Sequence, residues 1–333
     1  MLRGLHLVPI ALVLVLAACS GASGPGDAAS LVATLPADVD LAAFVDVKAV
    51  QEHPLWKKVA EDQFLRAGEE PLKRLEAITG LDPARDLQML LFAARALGQP
   101  GMEIAVIARG TVDRERIEDL LEQAGWRPER HGSLSLYALP GVDSVATQVP
   151  GLGTAPRLTF IDDFTVALGP AALLEALADV QGGSAPALTA SKDLGPLLDE
   201  ALGSGQFWGV FRSGYLAEQL RQRIESGIPL VGVLKGFSGV EAVRFSLRFS
   251  DSIDLVARAH ASTEDDARLL ADTLNGFLAL AKLVAKDRPE VLRFLEGALV
   301  GLDLNAVRLS MNIDGATLDR IRGGLLRDLG NGS

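Results

Sequence analysis

Cysteine is almost missing from this chain. Cys19 is the only one, so no disulfide can form within the molecule and stability has to come from burial. Aromatic side chains are scarce as well, with two tyrosines and three tryptophans, which argues against a carbohydrate module built on exposed aromatic platforms. Positive charge is in deficit: 32 basic against 43 acidic residues leave a formal charge of −11. That balance argues against nucleic acid as a partner, and it gives no long-range attraction to anionic lipid. Motifs for chemistry are lacking too. His53, His131 and His260 lie far apart in sequence with no HExxH or Cys/His spacing, so no metal site is expected. There is no GxSxG elbow and no SxxK motif, so the usual acyl-transfer nucleophiles have no support. The runs Gly151-Leu152-Gly153 and Gly203-Ser204-Gly205 lack a P-loop lysine and a Rossmann setting, and read as loop glycine. The expectation is a chain with no catalytic residues and no cofactor, which is not an enzyme.

What is present begins at the amino terminus. Arg3 precedes an apolar run from Leu5 to Leu16 that ends in Leu16-Ala17-Ala18-Cys19. A basic start, a short apolar core and small residues at the cut fit an export signal that is removed. The core is too short to remain as a membrane span, which takes about 20 apolar residues. Small and polar residues, Ser20-Gly21-Ala22-Ser23-Gly24-Pro25-Gly26, follow at once. The ending resembles the lipobox of bacterial lipoproteins. That resemblance implies that the Cys19 thiol takes a diacylglyceryl group, that a dedicated peptidase cuts before it, and that the new amino terminus is acylated. Two or three acyl chains give stable anchoring where one is marginal. Sorting in that family turns on the residue after the cysteine; aspartate there favours the inner membrane, so Ser20 implies the outer membrane of the cell envelope. The alternative is an ordinary secreted protein cut a residue or two later. On this reading 1–18 is a signal peptide, and 19–30 is the lipidated cysteine with a flexible tether reaching roughly 17 to 20 Å.

The body from Leu31 onward alternates strand and helix patterns in an order that recurs. In the first half, 31–183, the patterns predict strands at Asp40–Val47, Leu87–Ala96, Met102–Arg109, Ser135–Leu139, Arg157–Ile161 and Phe164–Leu168. Helices are expected at Pro54–Arg66, Pro71–Ile78 and Ala171–Val180, and around Ile117, Leu120, Leu121 and Ala124, with Thr111 or Asp113 as cap and Gly125 as stop. The second half, 184–333, repeats helix near Leu194–Leu202, strand Gln206–Arg212, helix Gly214–Ile224, strand pair, long helix and strand. Its long helix, Asp265–Lys286, sets Ala267, Leu270, Ala271, Leu274, Leu278, Ala281 and Ala285 on one side, behind a capping box at Thr263 and Asp266. The fold class expected is α+β in two similar halves, each a mainly antiparallel sheet covered by helices. The opening Leu35-Pro36-Ala37-Asp38-Val39-Asp40 with Val45-Asp46-Val47 resembles the start of uncharacterised families of exported bacterial proteins, and implies no activity.

Strand parity in the second half yields the one candidate site of the body. Val243, Phe245, Leu247 and Phe249 alternate with Arg244, Ser246 and Arg248; Ile253, Leu255, Ala257 and Ala259 alternate with Asp254, Val256, Arg258 and His260. A three-residue loop, Ser250-Asp251-Ser252, keeps the apolar sets on one side, places Arg248 opposite Asp254 as an ion pair, and places Arg244 opposite Arg258. The second pairing sets like charges together and costs stability unless an anion or a carboxylate sits between them. Val307, Leu309, Met311 and Ile313 alternate with Arg308, Ser310, Asn312 and Asp314, which brings Arg308 to the same face. Arg244, Arg258 and Arg308, with His260 nearby, form a candidate site for an anion or an acidic protein partner. The alternative is a solvated sheet face whose arginines meet acidic residues of the same chain. Asp162-Asp163 reads as a hairpin turn rather than a carboxylate pair for acid/base work, and Trp208 as core.

These features point to a lipid-anchored envelope protein with a non-catalytic binding or assembly role. Its expected contacts are the membrane, through the anchor, and an envelope protein. A periplasmic carrier of an apolar ligand is the alternative, and a hydrolase ranks third.

Overall fold

A computed structural model describes residues 25–54, 86–123, 125–138, 151–152, 155–214 and 235–315. Cys19 and the residues that resemble a lipobox lie outside the described residues, as do the helices expected at Pro54–Arg66, Pro71–Ile78 and Gly214–Ile224, apart from Pro54 and Gly214 themselves. The protein is α+β, with a large antiparallel sheet and several helices. It divides into two compact units, Met1–Gly209 and Val210–Ser333. Among the described residues no helix is long and apolar enough to cross a membrane.

The first unit opens with α1, Pro25–Val32, which starts inside the segment read as tether. Ala28, Leu31 and Val32 are buried, and this i, i+3, i+4 spacing gives even a short, small-residue helix one face to pack. Next come β1 (Leu41–Asp46), α2 (Val47–Glu52), β2 (Leu87–Arg95) and β3 (Glu103–Gly110). The apolar runs of β1 and β2 are nearly unbroken, and residues of both parities are buried, as in strands covered on both faces. Trp208 is fully buried and stacks on Phe44 of β1, with ring centroids 5.3 Å apart, which places this tryptophan in the core.

Helix α3 (Arg114–Gln123) is capped by Asp113, whose Oδ1 accepts from the Arg116 N–H at 3.1 Å, and it ends at Gly125, which takes φ +80°. Its Ile117 and Leu121 pack with Tyr137 and Phe160. Then follow β4 (Pro128–His131), β5 (Leu134–Ala138), β6 (Arg157–Asp162), β7 (Thr165–Gly169), α4 (Ala171–Gln181) and α5 (Gly195–Ala201). Within this unit the strands lie in the order β1-β2-β3-β7-β6-β5-β4. Leu188 N–H donates to the Leu35 carbonyl at 2.7 Å and Ala37 N–H to Pro186 at 3.0 Å, which ties the 186–188 segment to the start of the unit.

Strand β8 (Phe207–Arg212) runs across the boundary between the units. The second unit continues with β9 (Val240–Phe249), β10 (Ser252–Ala261), α6 (Glu264–Val284), α7 (Pro289–Glu296), β11 (Ala298–Asp303) and β12 (Ala306–Asp314), in the strand order β11-β12-β10-β9. The Thr263 hydroxyl accepts from the Asp266 N–H at 3.1 Å and donates to the Asp266 carboxylate at 2.7 Å, so the predicted cap forms. Ala267, Leu270 and Ala271 of α6 then pack on Val243, Ala259, Val300 and Val307, the apolar face of the sheet. Strands β4 and β11 and helix α7 are additions that the sequence patterns do not announce.

Candidate functional site

Three strands build the arginine face. In the β9–β10 pair Arg244 stands opposite Arg258 and Arg248 opposite Asp254, and in the β10–β12 pair Arg258 stands opposite Arg308. The alternation therefore lines up Arg244, Arg258 and Arg308 in one row across adjacent strands. Residues directly opposite in an antiparallel ladder have Cβ atoms about 4.5–5.5 Å apart, close enough for like charges to repel. On the neighbouring strand β11, Gly301 stands opposite Arg308, so the row ends there with no further side chain. His260 lies one row away on the same face, between Ala242 and Ala306.

The row carries a carboxylate of its own. Arg258 Nη2 donates to Asp303 Oδ2 at 2.8 Å. Asp303 is the last residue of β11, opposite Ala306, and it reaches Arg258 diagonally across β12. Arg244, Arg258 and His260 are half-buried. Arg308 is exposed, and forms no ion pair with a described residue. Towards the hairpin the face becomes neutral and then mixed: Ser246 is buried, and Asp254 Oδ1 accepts from Asn312 Nδ2 at 2.6 Å. Graded burial along one row leaves its Arg308 end open to a carboxylate, phosphate or sulfate group, while Asp303 already answers Arg258. Guanidinium groups in such a row pair with oxyanions, and that is the chemistry the arrangement offers.

Several other titratable groups have structural partners. Phe164 N–H donates to Asp162 Oδ1 at 2.8 Å, Asp162 lies 3.9 Å from Arg109, and Asp163 lies 3.5 Å from Arg114, so this acidic pair forms the β6–β7 turn. His131 Nε2 lies 3.1 Å from Asp179, and His53 follows the end of α2. Among the described residues no three His, Cys, Asp or Glu side chains gather as a metal site would require. Burial works to lower the Arg95 guanidinium, but Asp38 and Glu103, at 2.9 and 2.6 Å, outweigh it and hold the group above its ordinary value. Tyr137 is pushed up by burial and then by the carboxylates of Glu118 and Glu122.

Asp303 is the site residue that sequence patterns miss. Its signal is faint, because β11 is short, interrupted by Gly301, and apolar on both sides at Leu299 and Val300, so no period of two marks it as a strand. No family model matches this chain, and no curated protein does. Among solved structures it is similar to the one titled "Structure of crystal form I of TP0453", at 10% identity and a TM-score of 0.41, covering 87% of this chain and 95% of that one.

Proposed function

We propose that this protein is a lipid-anchored component of the bacterial envelope, outer-membrane in address, that works by binding and not by catalysis. The lipobox ending at Cys19 supports the anchor. The observation that carries the binding role is the register of Arg244, Arg258 and Arg308 in one row, open at Arg308, with the Asp303 carboxylate on Arg258. A partner presenting a carboxylate or another oxyanion beside Arg308 would relieve repulsion that Asp303 meets at the middle of the row. An acidic patch on an envelope protein suits the exposed end of the row best.

The two units are read as one duplicated α+β element. In the first, the strands β1-β2-β3-β7-β6 are neighbours in that order, with β5 and β4 added outside; in the second, β8-β9-β10-β12-β11 follow the same path. Each half thus places a hairpin, a helical connection and a returning strand beside the second strand of the hairpin.

The test is affinity capture from detergent-solubilised envelopes with the full chain, comparing wild type with Arg308→Glu. Arg308 is exposed, so the substitution leaves folding intact. The expected result is a partner held by wild type and lost by Arg308→Glu at matched, low ionic strength. An identical set of proteins held by both would remove the arginine row from the binding surface.

A further inference from the structure

We infer that β11 is an edge on which an extended segment of the partner protein adds as a further strand, with a carboxylate set opposite Gly301 to meet Arg308. This rests on the arginine-row reading above and gives it a binding mode. Among the described residues the sheet ends at β11, and no strand pairs with its outer side. The turn after β11 fixes which backbone groups lie there. Asp303 and Ala306 flank the two-residue turn Leu304-Asn305 and face each other. The Ala261 N–H donates to the Asn305 carbonyl at 2.8 Å, which leaves the backbone of Ala306 directed at β11. Alternation from Asp303 then turns the N–H and C=O of Val300 and Leu302 outward.

Edge strands are ordinarily blunted by proline, charge, a bulge or short length. Strand β4, the edge of the first unit, is four residues long and made of Pro128, Glu129, Arg130 and His131. Strand β11 lacks such protection. It has six residues, pairs with β12 without a bulge, and its one charged residue, Asp303, is already held by Arg258. Its apolar side chains stand out instead: Leu299 is 67% exposed, Leu302 48%, and Leu304 at the turn 73%. Leu304 also takes φ +51°, a conformation that strains a leucine and suits glycine or asparagine. Its side chain serves neither the turn nor the core, and is placed for a contact outside the chain.

Glycine inside a strand marks a bulge, a sharp bend or the close approach of a ligand or another backbone. Gly301 has an unbroken register and no positive φ, and a Cβ added there would meet only the Arg308 carbonyl oxygen, at 4.0 Å. Approach from outside is the reason that remains. A residue added opposite Gly301 lies two strand spacings from Arg308, roughly 9.5 Å, with no side chain between. The sheet already closes such a span: Asp303 on β11 reaches Arg258 on β10 across the width of β12, at 2.8 Å. A glutamate on the added strand would complete the open end of the row as Asp303 completes its middle. The partner segment is therefore apolar where it passes Leu299 and Leu302 and acidic where it passes Gly301. A second copy's β11 does not meet this need, because its only carboxylate is Asp303, which Arg258 holds.

The probe is a synthetic peptide, Ser-Thr-Val-Glu-Val-Thr-Ser, palindromic so that either strand direction sets glutamate beside Gly301; its glutamine counterpart is the control. The full chain carrying Cys19→Ser is used, so that lipid does not enter. The glutamate peptide should slow amide exchange at Val300 and Leu302. Glutamine in the peptide, Arg308→Gln or Leu302→Pro should each weaken binding by about tenfold or more. Leu302→Pro removes an outward N–H and spares the β12 ladder, whereas Leu302→Thr keeps that N–H and should retain the binding that proline removes. Gly301→Val fills the gap without a clash, so it should abolish the preference for glutamate over glutamine while thermal stability stays at or above wild type. Binding that needs Arg308 but ignores Leu302→Pro and Gly301→Val overturns strand addition and leaves the arginine row standing as a site. Binding that Leu302→Pro abolishes and Arg308→Gln does not affect removes the row, and with it the reading on which this one rests. No glutamate-dependent binding by the folded wild type overturns the inference, as does a wild-type dimer that Leu302→Pro dissociates, since a second copy then occupies the edge.

Discussion

Replacing Asp303 by asparagine tests whether the arginine row is held under charge repulsion. The substitution keeps size and shape and removes the carboxylate that meets Arg258, at 2.8 Å, where Arg258 lies between Arg244 and Arg308. In water-like dielectric a unit pair at that separation is worth about 1.5 kcal/mol. Exposure tempers this, since Arg258 is 30% and Asp303 62% exposed, and pairs of this kind usually return about 0.2–1 kcal/mol. The two flanking arginines raise the loss towards the top of that range, because a neutral amide in place of the carboxylate has no charge with which to offset theirs. A loss of about 1 kcal/mol follows, or roughly 2–4 °C in the midpoint of a unit of this size. The assay is thermal unfolding followed by circular dichroism at low ionic strength, for wild type, Asp303→Asn, Arg258→Gln and the double variant. The cycle should return a coupling near ~1 kcal/mol, and the difference should largely vanish at about 1 M salt, where the screening length is about 3 Å. Millimolar phosphate should raise the midpoint of Asp303→Asn more than that of wild type, by filling the vacated place. Equal midpoints for wild type and Asp303→Asn at every salt concentration would refute the picture of a strained row.

Three further outcomes are expected. Thr165 and Thr159 are fully buried, and neither hydroxyl has a hydrogen-bond partner among the described residues, so Thr165→Val should be neutral or should stabilise by about 1 kcal/mol in chemical denaturation; a marked loss would reveal a hidden partner. Tyr137 has its proton held more tightly in the folded protein than in the unfolded chain, so its contribution is complete below about pH 10 and is lost as pH rises through the higher folded value. Alkaline unfolding should therefore be shallower in Tyr137→Phe, and absorbance at about 295 nm should show one tyrosine ionising late; no difference between the two proteins would count against this. A radiolabelled fatty acid should appear on wild type in cells and not on Cys19→Ser, whereas label on the variant would dismiss the anchor.

How much of the structure is legible in the sequence depends on whether a period is clean. Strands β9 and β10 alternate strictly over most of their length and are joined by a tight turn, which leaves one register that keeps Val243, Phe245, Leu255 and Ala257 on the same side. That register carries the arginine row with it, because parity fixes both faces at once. Helix α6 is equally legible, since Thr263 and Asp266 mark its start and Ala267, Leu270 and Ala271 mark its packed face. Elements without a period are not legible. Strand β4, Pro-Glu-Arg-His, has no apolar alternation and is held by pairing with β5, an interaction its own four residues do not announce. Segment 25–30 reads as leash because small residues carry little hydrophobic signal, yet Ala28 is buried when Leu31 and Val32 bring the helix down. Asp303 escapes notice for a related reason: its role is set by a diagonal reach across β12, which depends on where β11 pairs.

The same parity that makes the row legible separates the two faces of the sheet in the second unit. Val243 and Ala259 on one face, with Val307 and Val300 from β12 and β11, receive the first half of α6, while Arg244, Arg258 and Arg308 project from the opposite face of the same strands. A side chain in a strand cannot move from one face to the other without a shift of register, so α6 cannot cover the arginines. The division also accounts for how α6 can combine an acidic start with an acid-free end: Glu264, Asp265 and Asp266 complement the positive end of the helix dipole, where carboxylates stabilise, whereas its far end gains from cations such as Lys282. Helix electrostatics alone would thus explain one lysine at that end. They leave Leu280, Leu283 and Val284 outside the packed core there, an exposed apolar surface that neither capping nor the helix dipole requires.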